Sequence, residues 1–223
     1  MPTGAILVIG ASLSAERVVH LVRQLPDSPT ILGLIAVDRS VDRIGQSLAE
    51  LPVLDYLEGL SRFRSGVVGA IPAGAEPAEQ ETIIAALTET GIPPLSVVHP
   101  TAWIGEDVSL SAGAVVDANA SVDAGVRVGR GTVIGVGSIV GATGRIGDYA
   151  EVGPGVVIGP EARIGERVRL GLGSRVANGV MIGPDSVVAP GSLVVEDVPS
   201  ASIMAGNPAK AVDRARHPEV DPA

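Results

Sequence analysis

Groups able to do acid–base or nucleophilic chemistry are few in this 223-residue chain. It has no cysteine, which excludes a thiolate nucleophile, a disulfide and a cysteine-based metal site. The three histidines, His20, His99 and His217, are widely separated, and His99 reads as a structural residue where one sequence texture gives way to another. Anion chemistry has better candidates. Gly10-Ala11-Ser12-Leu13-Ser14 joins a strand-like run to a helix-like one. Ser12 and Ser14 could meet a phosphate or a sugar there, or simply cap the helix. Asp38 ends the second strand-like run, where an acidic residue can hold a ribose or serve as a plain turn residue. Lys210 could pair with a phosphate or stay solvated.

The elements that must position these residues are legible in two textures. From Val98 to Val194 every sixth residue is Val, Ile or Leu, giving 17 hexads and 102 residues from Val98 to Pro199. A strict hexapeptide period marks a parallel β-helix. The residue after the aliphatic one is Gly in 10 of the 17 hexads, which suggests tight corners suited to a residue without a Cβ. The fifth position is small or β-branched, as in Ala114, Thr132, Ser138 and Val156. Three such units close a triangular coil of 18 residues. At the usual inter-strand distance the 102 residues make a prism about 27 Å long. A column this narrow has little room for rings, and aromatics are 2% of the chain. Trp103, the sole Trp, is expected to cover the open first coil.

Residues 1–94 alternate strand and helix signals. Ala5–Gly10 reads as a buried strand, Ser14–Leu25 as a helix with Val18, Leu21, Val22 and Leu25 on one face, and Thr30–Asp38 as a second strand. Pro52–Phe63 is predicted helical, Val67–Ile71 a third strand, and Glu79–Thr90 a helix ended by Gly91 and Pro93-Pro94. This order implies a small parallel sheet. The fold class expected is therefore α/β plus all-β: residues 1–94 as one domain, residues 95–223 as a β-helix with a polar tail.

A net charge of −9 argues against nonspecific nucleic-acid binding. No apolar run is long enough to span a bilayer, and no signal-peptide pattern precedes Ala5. With no cysteine, a cytoplasmic location is the expectation.

Several segments carry a family resemblance: Ile9-Gly10-Ala11-Ser12, Val37-Asp38, Val98-His99-Pro100-Thr101-Ala102, the hexads, Asp197-Val198-Pro199 and Ala205-Gly206-Asn207-Pro208-Ala209-Lys210. In these the chain resembles the bacterial sugar O- and N-acyltransferases, which include the sialic acid O-acetyltransferases and the bacillosamine-pathway N-acetyltransferases. The resemblance implies a Rossmann-like nucleotide-sugar-binding domain followed by a left-handed β-helix. It also implies acetyl-CoA as acyl donor, no metal, and a homotrimer with donor sites in the grooves between prisms. Donor contacts then fall on Pro160, Leu172, Ala189, Pro190, Gly206 and Lys210. Acceptor contacts fall on Ser12, Leu13, Ser14, Asp38, Arg39 and Ala70.

The departures from that pattern matter. The family's general-base histidine falls at Ala142, its neighbouring acid at Thr143, a second histidine at Glu151 and an asparagine at Gly135. The family's glycine-rich loop with its histidine reads Gly10-Ala11-Ser12-Leu13-Ser14-Ala15 here. The nearest carboxylates able to accept a proton are Glu151 and Asp148, unless both are solvated corner residues. A general base contributes about 10²–10⁴-fold. A hydroxyl needs that help more than an amine, whose free base attacks a thioester directly once it is held in place. Three functions stay open: N-acylation of an amino or nucleotide sugar, O-acylation or another acceptor with a relocated base, and a non-catalytic trimeric scaffold or binding relative.

Overall fold

The computed structural model describes residues 4–37 and 43–213. The chain divides into two compact units, Met1–Pro100 and Thr101–Ala223.

In the first unit β1 (Ala5–Ile9), β2 (Thr30–Ala36), β3 (Ser47–Leu48), β4 (Leu51–Tyr56) and β5 (Gly69–Pro72) form a sheet in the order β3-β4-β2-β1-β5. β1 pairs in parallel with both β2 and β5, so the strand order switches across β1. In open α/β sheets such a switch opens a crevice at the carboxyl ends of the strands. Helices α1 (Leu13–Arg23) and α2 (Pro77–Thr90) follow β1 and β5. Leu7, Ile9, Ile35 and Ala70 of the sheet pack with Leu60, Ile83 and Leu87. α2 carries Pro77 in its first turn and stops at Gly91, which takes a left-handed φ of 69°, so the sequence signals set both ends.

The helix expected over Pro52–Phe63 is not one element. Its first part is β4, parallel to β2, and only Leu57–Phe63 is helical, as a 3₁₀ helix. β3 and β4 form an antiparallel hairpin whose turn residues, Ala49 and Glu50, have φ of 49° and 64°. Asn-Gly usually marks a turn with two positive φ angles. Ala-Glu gives no such signal, and burial of Val53 and Tyr56 against the sheet decides the conformation.

The second unit is a left-handed parallel β-helix with three faces. The first face stacks Trp103–Ile104, Ser121–Val122, Ile139–Val140, Val157–Ile158, Arg175–Val176 and Leu193–Val194. The second stacks Ser109–Leu110, Arg127–Val128, Arg145–Ile146, Arg163–Ile164 and Met181–Ile182. The third runs through Val115–Val116, Val133–Ile134, Glu151–Val152, Arg169–Leu170 and Val187–Val188 to Ile203–Gly206, and ends in an antiparallel return strand, Ala209–Ala211. Each residue pairs with the one a full coil later, as in Val122 to Val140 and Val140 to Ile158. Every hexad aliphatic from Val116 to Val194 is buried, and Ala114, Val126, Thr132, Ser138 and Val156 at the fifth position are fully buried beside them. Two of the buried hydroxyls are satisfied by the adjoining coil: Thr132 Oγ1 donates to the Gly147 carbonyl and Ser138 Oγ to that of Gly153.

Two expectations change here. The left-handed corner residue is not the hexad glycine but the residue two positions later, where Asp107, Asn119, Thr143, Tyr149, Glu161, Arg167 and Asp185 all have φ between 54° and 61°. The hexad glycine is there because coils stack too closely for a side chain. A Cβ on Gly165 would lie 2.6 Å from the Pro184 nitrogen, and one on Gly171 2.6 Å from the Pro190 nitrogen. Trp103 does not cover the column. It precedes the hexad aliphatic Ile104 in its strand, so it points outward, and it is 56% exposed.

These two glycine classes separate experimentally. Gly165→Ala forces backbone apart and is expected to cost about 3 kcal/mol. Gly173→Ala, at φ 65° with nothing within 4 Å, is expected to cost about 1 kcal/mol, the strain of a left-handed non-glycine residue. Denaturant unfolding midpoints of the two variants test the order; equal losses would contradict it.

Candidate functional site

Stacking turns each hexad position into a column, and the prism's three edges expose different chemistry. The edge between the first and second faces presents Glu106, Ala124, Ala142, Pro160 and Asn178. The edge between the second and third presents Ala112, Arg130, Asp148, Glu166 and Pro184. The edge between the third and first presents Ala118, Val136, Pro154, Leu172 and Pro190, followed by Gly137, Gly155, Gly173 and Gly191. That last edge is a strip of apolar side chains beside bare backbone.

A groove of about 210 Å³ runs along this apolar edge and the adjoining third face. It brings together Glu151, Leu172 and Pro190, three residues singled out from the sequence. It adds Arg169, which the sequence reading missed. Glu151 and Arg169 are in parallel register on adjacent coils, and Arg169 Nε lies 3.3 Å from Glu151 Oε2. The signal that could have found Arg169 is its offset of one 18-residue coil from Glu151. Leu172 is 61% exposed on the edge, and Ala189 is buried beside Pro190. Gly206 and Lys210 lie in the closing hairpin, and both are exposed.

Ala142 and Pro160 are on a different edge. The Ala142 carbonyl accepts from the Glu161 N–H at 2.9 Å, and the Thr143 hydroxyl donates to that same carbonyl at 2.7 Å. Neither position presents a proton acceptor comparable to an imidazole.

Asp148 is three residues from Glu151 in sequence, yet it sits on the charged edge. Its Oδ1 accepts from the Arg130 backbone N–H at 2.8 Å, and its Oδ2 accepts from the Arg130 guanidinium, at 2.9 Å from Nε and 2.7 Å from NH2. Arg130 also lies over the Tyr149 ring, 5.9 Å from its centroid. The hydrogen bond to Asp148 holds the Arg130 pKa above its usual value. Arg167 pairs with Asp185 at 2.7 Å in the same way, and that hydrogen bond holds the Asp185 carboxyl below the usual range. The edge is an ion-pair ladder, so the structure assigns Asp148 to it and not to the groove.

In the first unit the crevice at the end of β1 holds the loop residues. A Cβ on Gly10 would lie 2.6 Å from the Ala73 carbonyl, so glycine is fixed there by close approach of the loop after β5. Ser12 is the N-cap residue of α1, but its hydroxyl makes no cap hydrogen bond. Leu13 is 82% exposed and Ser14 half-buried. Asp38 and Arg39 lie outside the described residues. Ala70 is a correction: it is 0% exposed in the middle of β5, packed in the sheet core, so its side chain cannot meet a ligand. Among the described residues no cluster of His, Asp or Glu could hold a metal ion, and no helix is long and apolar enough to cross a membrane.

No protein-family model matches the chain, and no curated protein matches it. Solved structures do. A histidine-to-asparagine mutant of perosamine N-acetyltransferase from Caulobacter crescentus, in complex with CoA and GDP-perosamine, is 27% identical; the match covers 95% of this chain and 98% of that one, with a TM-score of 0.87. The acetyltransferase domain of PglB from Neisseria gonorrhoeae, in complex with acetyl coenzyme A, is 24% identical over 95% of this chain and 100% of that one, with a TM-score of 0.86. WeeI from Acinetobacter baumannii is 24% identical over 94% and 100%, with a TM-score of 0.77. The chain thus shares the full two-unit, hexapeptide-repeat architecture of these acetyltransferases, as its motifs implied.

The ladder predicts a specific acid response. The folded pKa of Asp185 is depressed, so its pairing stabilises fully above the unfolded carboxylate range and is lost as pH falls through the depressed value. Asp185→Asn is expected to lower the melting temperature slightly at neutral pH, because exposed pairs contribute little. The gap to the parent should close on acidification; a gap that persists at low pH would show that charge is not its cause.

Proposed function

We infer that this chain transfers the acetyl group of acetyl-CoA to the amine of a nucleotide-linked amino sugar. The observation that carries this reading is the groove that gathers Glu151, Arg169, Leu172 and Pro190. It lies on a scaffold whose 27%-identical relative is a sugar N-acetyltransferase holding CoA and GDP-perosamine. The groove fits the donor. Its edge offers Pro154, Leu172 and Pro190 for apolar contact with an extended chain, and the edge glycines leave backbone open to close approach. Lys210, exposed on the closing hairpin, supplies a cation for a phosphate in this reading. A histidine-to-alanine mutant of the perosamine enzyme is still found with CoA and GDP-perosamine. Both ligands can therefore bind this architecture after such a loss, and Ala142 does not argue against binding here.

The chemistry asked of the protein is modest. As the new C–N bond forms and the C–S bond breaks, the attacking nitrogen must shed a proton and the leaving sulfur must gain one. Glu151 is the groove's carboxylate and takes the proton from nitrogen; Arg169 holds Glu151 in one orientation. The crevice of the first unit, with Ser12, Leu13 and Ser14 at the start of α1, receives the nucleotide of the acceptor. Ala142 lies on the edge between the first and second faces and Glu151 on the third face, so a site combining both needs a second copy of the chain. This supports a homotrimer with its grooves between prisms.

Calorimetric titration with acetyl-CoA tests the donor: saturable binding near one site per chain is expected. An acetyl-transfer assay with paired amino- and hydroxyl-bearing nucleotide sugars tests the acceptor, with turnover expected on the amine only. Glu151→Gln is expected to lower kcat by about 10²-fold with little change in donor Kd. No binding at millimolar acetyl-CoA would defeat the transferase reading, and unchanged kcat in Glu151→Gln would remove Glu151 from the chemistry.

A further inference from the structure

The second face carries a row of charge that the groove does not use. Its strands stack in parallel register, so Arg127 lies against Arg145, and Arg145 against Arg163, each the outward residue of its coil. All three are exposed. Adjacent strands are about 4.8 Å apart, which sets three cations in a straight row at that spacing. Three other arginines of the β-helix have carboxylate partners: Arg130 has Asp148, Arg167 has Asp185 and Arg169 has Glu151. The guanidinium groups of Arg127, Arg145 and Arg163 have no ion pair or hydrogen bond among the described residues. The row persists on a chain whose net charge is −9.

The row also borders a cavity. Arg145 and Arg163 line a space of about 470 Å³ together with Thr143, Glu161, Gly179 and Met181. Two stacked guanidiniums present parallel forks of N–H donors, the geometry that binds phosphate oxygens bidentately. A diphosphate can give one phosphoryl group to each fork. Glu161 accepts hydrogen bonds and repels phosphate, so it suits a hydroxyl next to the diphosphate and not a third phosphoryl group. The exposed side chain of Met181 adds an apolar contact at the far end.

We propose that Arg145 and Arg163, with Arg127 extending the row, form a binding site for the diphosphate of a nucleotide on the second face. The site stands on the register and the cavity, and does not depend on acetyl transfer. Two nucleotides could supply the diphosphate, a free nucleoside diphosphate or the adenosine diphosphate portion of CoA.

The test is calorimetric titration of the full chain with inorganic pyrophosphate, then with GDP and with CoA, at low and high salt. Saturable pyrophosphate binding that weakens with salt is expected. Arg145→Gln and Arg163→Gln should each weaken it about tenfold or more, and Arg163→Lys less, because lysine keeps the charge but not the fork. Arg175→Gln removes a charge from the first face and should change nothing. Adenosine 3′,5′-bisphosphate, with two phosphates but no diphosphate, should bind more weakly than GDP. If GDP loses affinity in Arg163→Gln and CoA does not, the acceptor's nucleotide uses the site; the reverse assigns it to the donor. No pyrophosphate binding at millimolar concentration, or binding indifferent to both substitutions, would overturn the proposal. So would a change in oligomeric state on sedimentation of either variant, which would make the row a contact between copies of the chain. A failure of acetyl transfer with these results intact would count against the proposed function alone.

Discussion

The repetition of backbone at one strand spacing, coil upon coil, is the constraint on which the second unit depends. Each coil must lie flat on the next at about 4.8 Å along its whole length, corners included. The inward aliphatic is then no longer a free choice, because it fills a column one side chain wide. The hexad glycine follows from the same spacing: at Gly147, Gly165 and Gly171 a Cβ would reach the backbone nitrogen of the coil above at 2.6 Å. The left-handed φ of each corner is borne two residues later, by Thr143, Tyr149, Glu161 and Arg167 as readily as by glycine. Uniform strain at the corner is tolerated because every neighbouring coil makes the same turn and hydrogen-bonds to it, as Gly155 N–H does to the Val136 carbonyl and Gly173 N–H to that of Pro154.

Such a scaffold places chemistry by counting. Residues 18 apart are adjacent, while residues three apart are on different surfaces. Glu151 and Asp148 illustrate both halves of the rule. Glu151 meets Arg169 across one coil and enters the groove. Asp148, its near neighbour in sequence, meets Arg130 across one coil and is bound into the ion-pair ladder. An edge built from Pro154, Leu172 and Pro190 with intervening glycines is smooth and apolar, and an edge built from Arg130, Asp148, Arg167 and Asp185 is rigidly charged. The same backbone carries both, so the surface chemistry is set by residues that do little to specify the fold.

That separation explains what the sequence disclosed. The β-helix was legible because its aliphatic column is a strict period. α2 was legible because Gly91 and Pro93-Pro94 mark its end, although it begins two residues before the expected Glu79, at Pro77. The β3–β4 hairpin was not, because its turn uses Ala49 and Glu50, which carry no turn preference, and pairing with β2 overrides the apparent helical pattern. Leu172 and Pro190 could be picked out, by resemblance, before the groove was known; Arg169 could not, because nothing in a linear reading links it to Glu151. Ala70 fell at a plausible place in the chain and proved to be core, since all of β5 is buried.

The proposed acceptor follows from the quality of the proton acceptor that remains. An imidazole at the position of Ala142 could remove a proton from an alcohol near neutral pH, because its own pKa lies there. Glu151 lies 3.3 Å from an arginine, and a carboxylate is by nature a weaker base than an imidazole. A weak base cannot generate an alkoxide, but it can receive a proton from a nitrogen that becomes acidic as it is acylated. For an amine the difficult part is bringing the neutral nucleophile onto the thioester carbon, which is a matter of position and orientation. In the proposed reading a rigid prism supplies that, so a site without an imidazole would narrow the range of acceptors without requiring the scaffold to change.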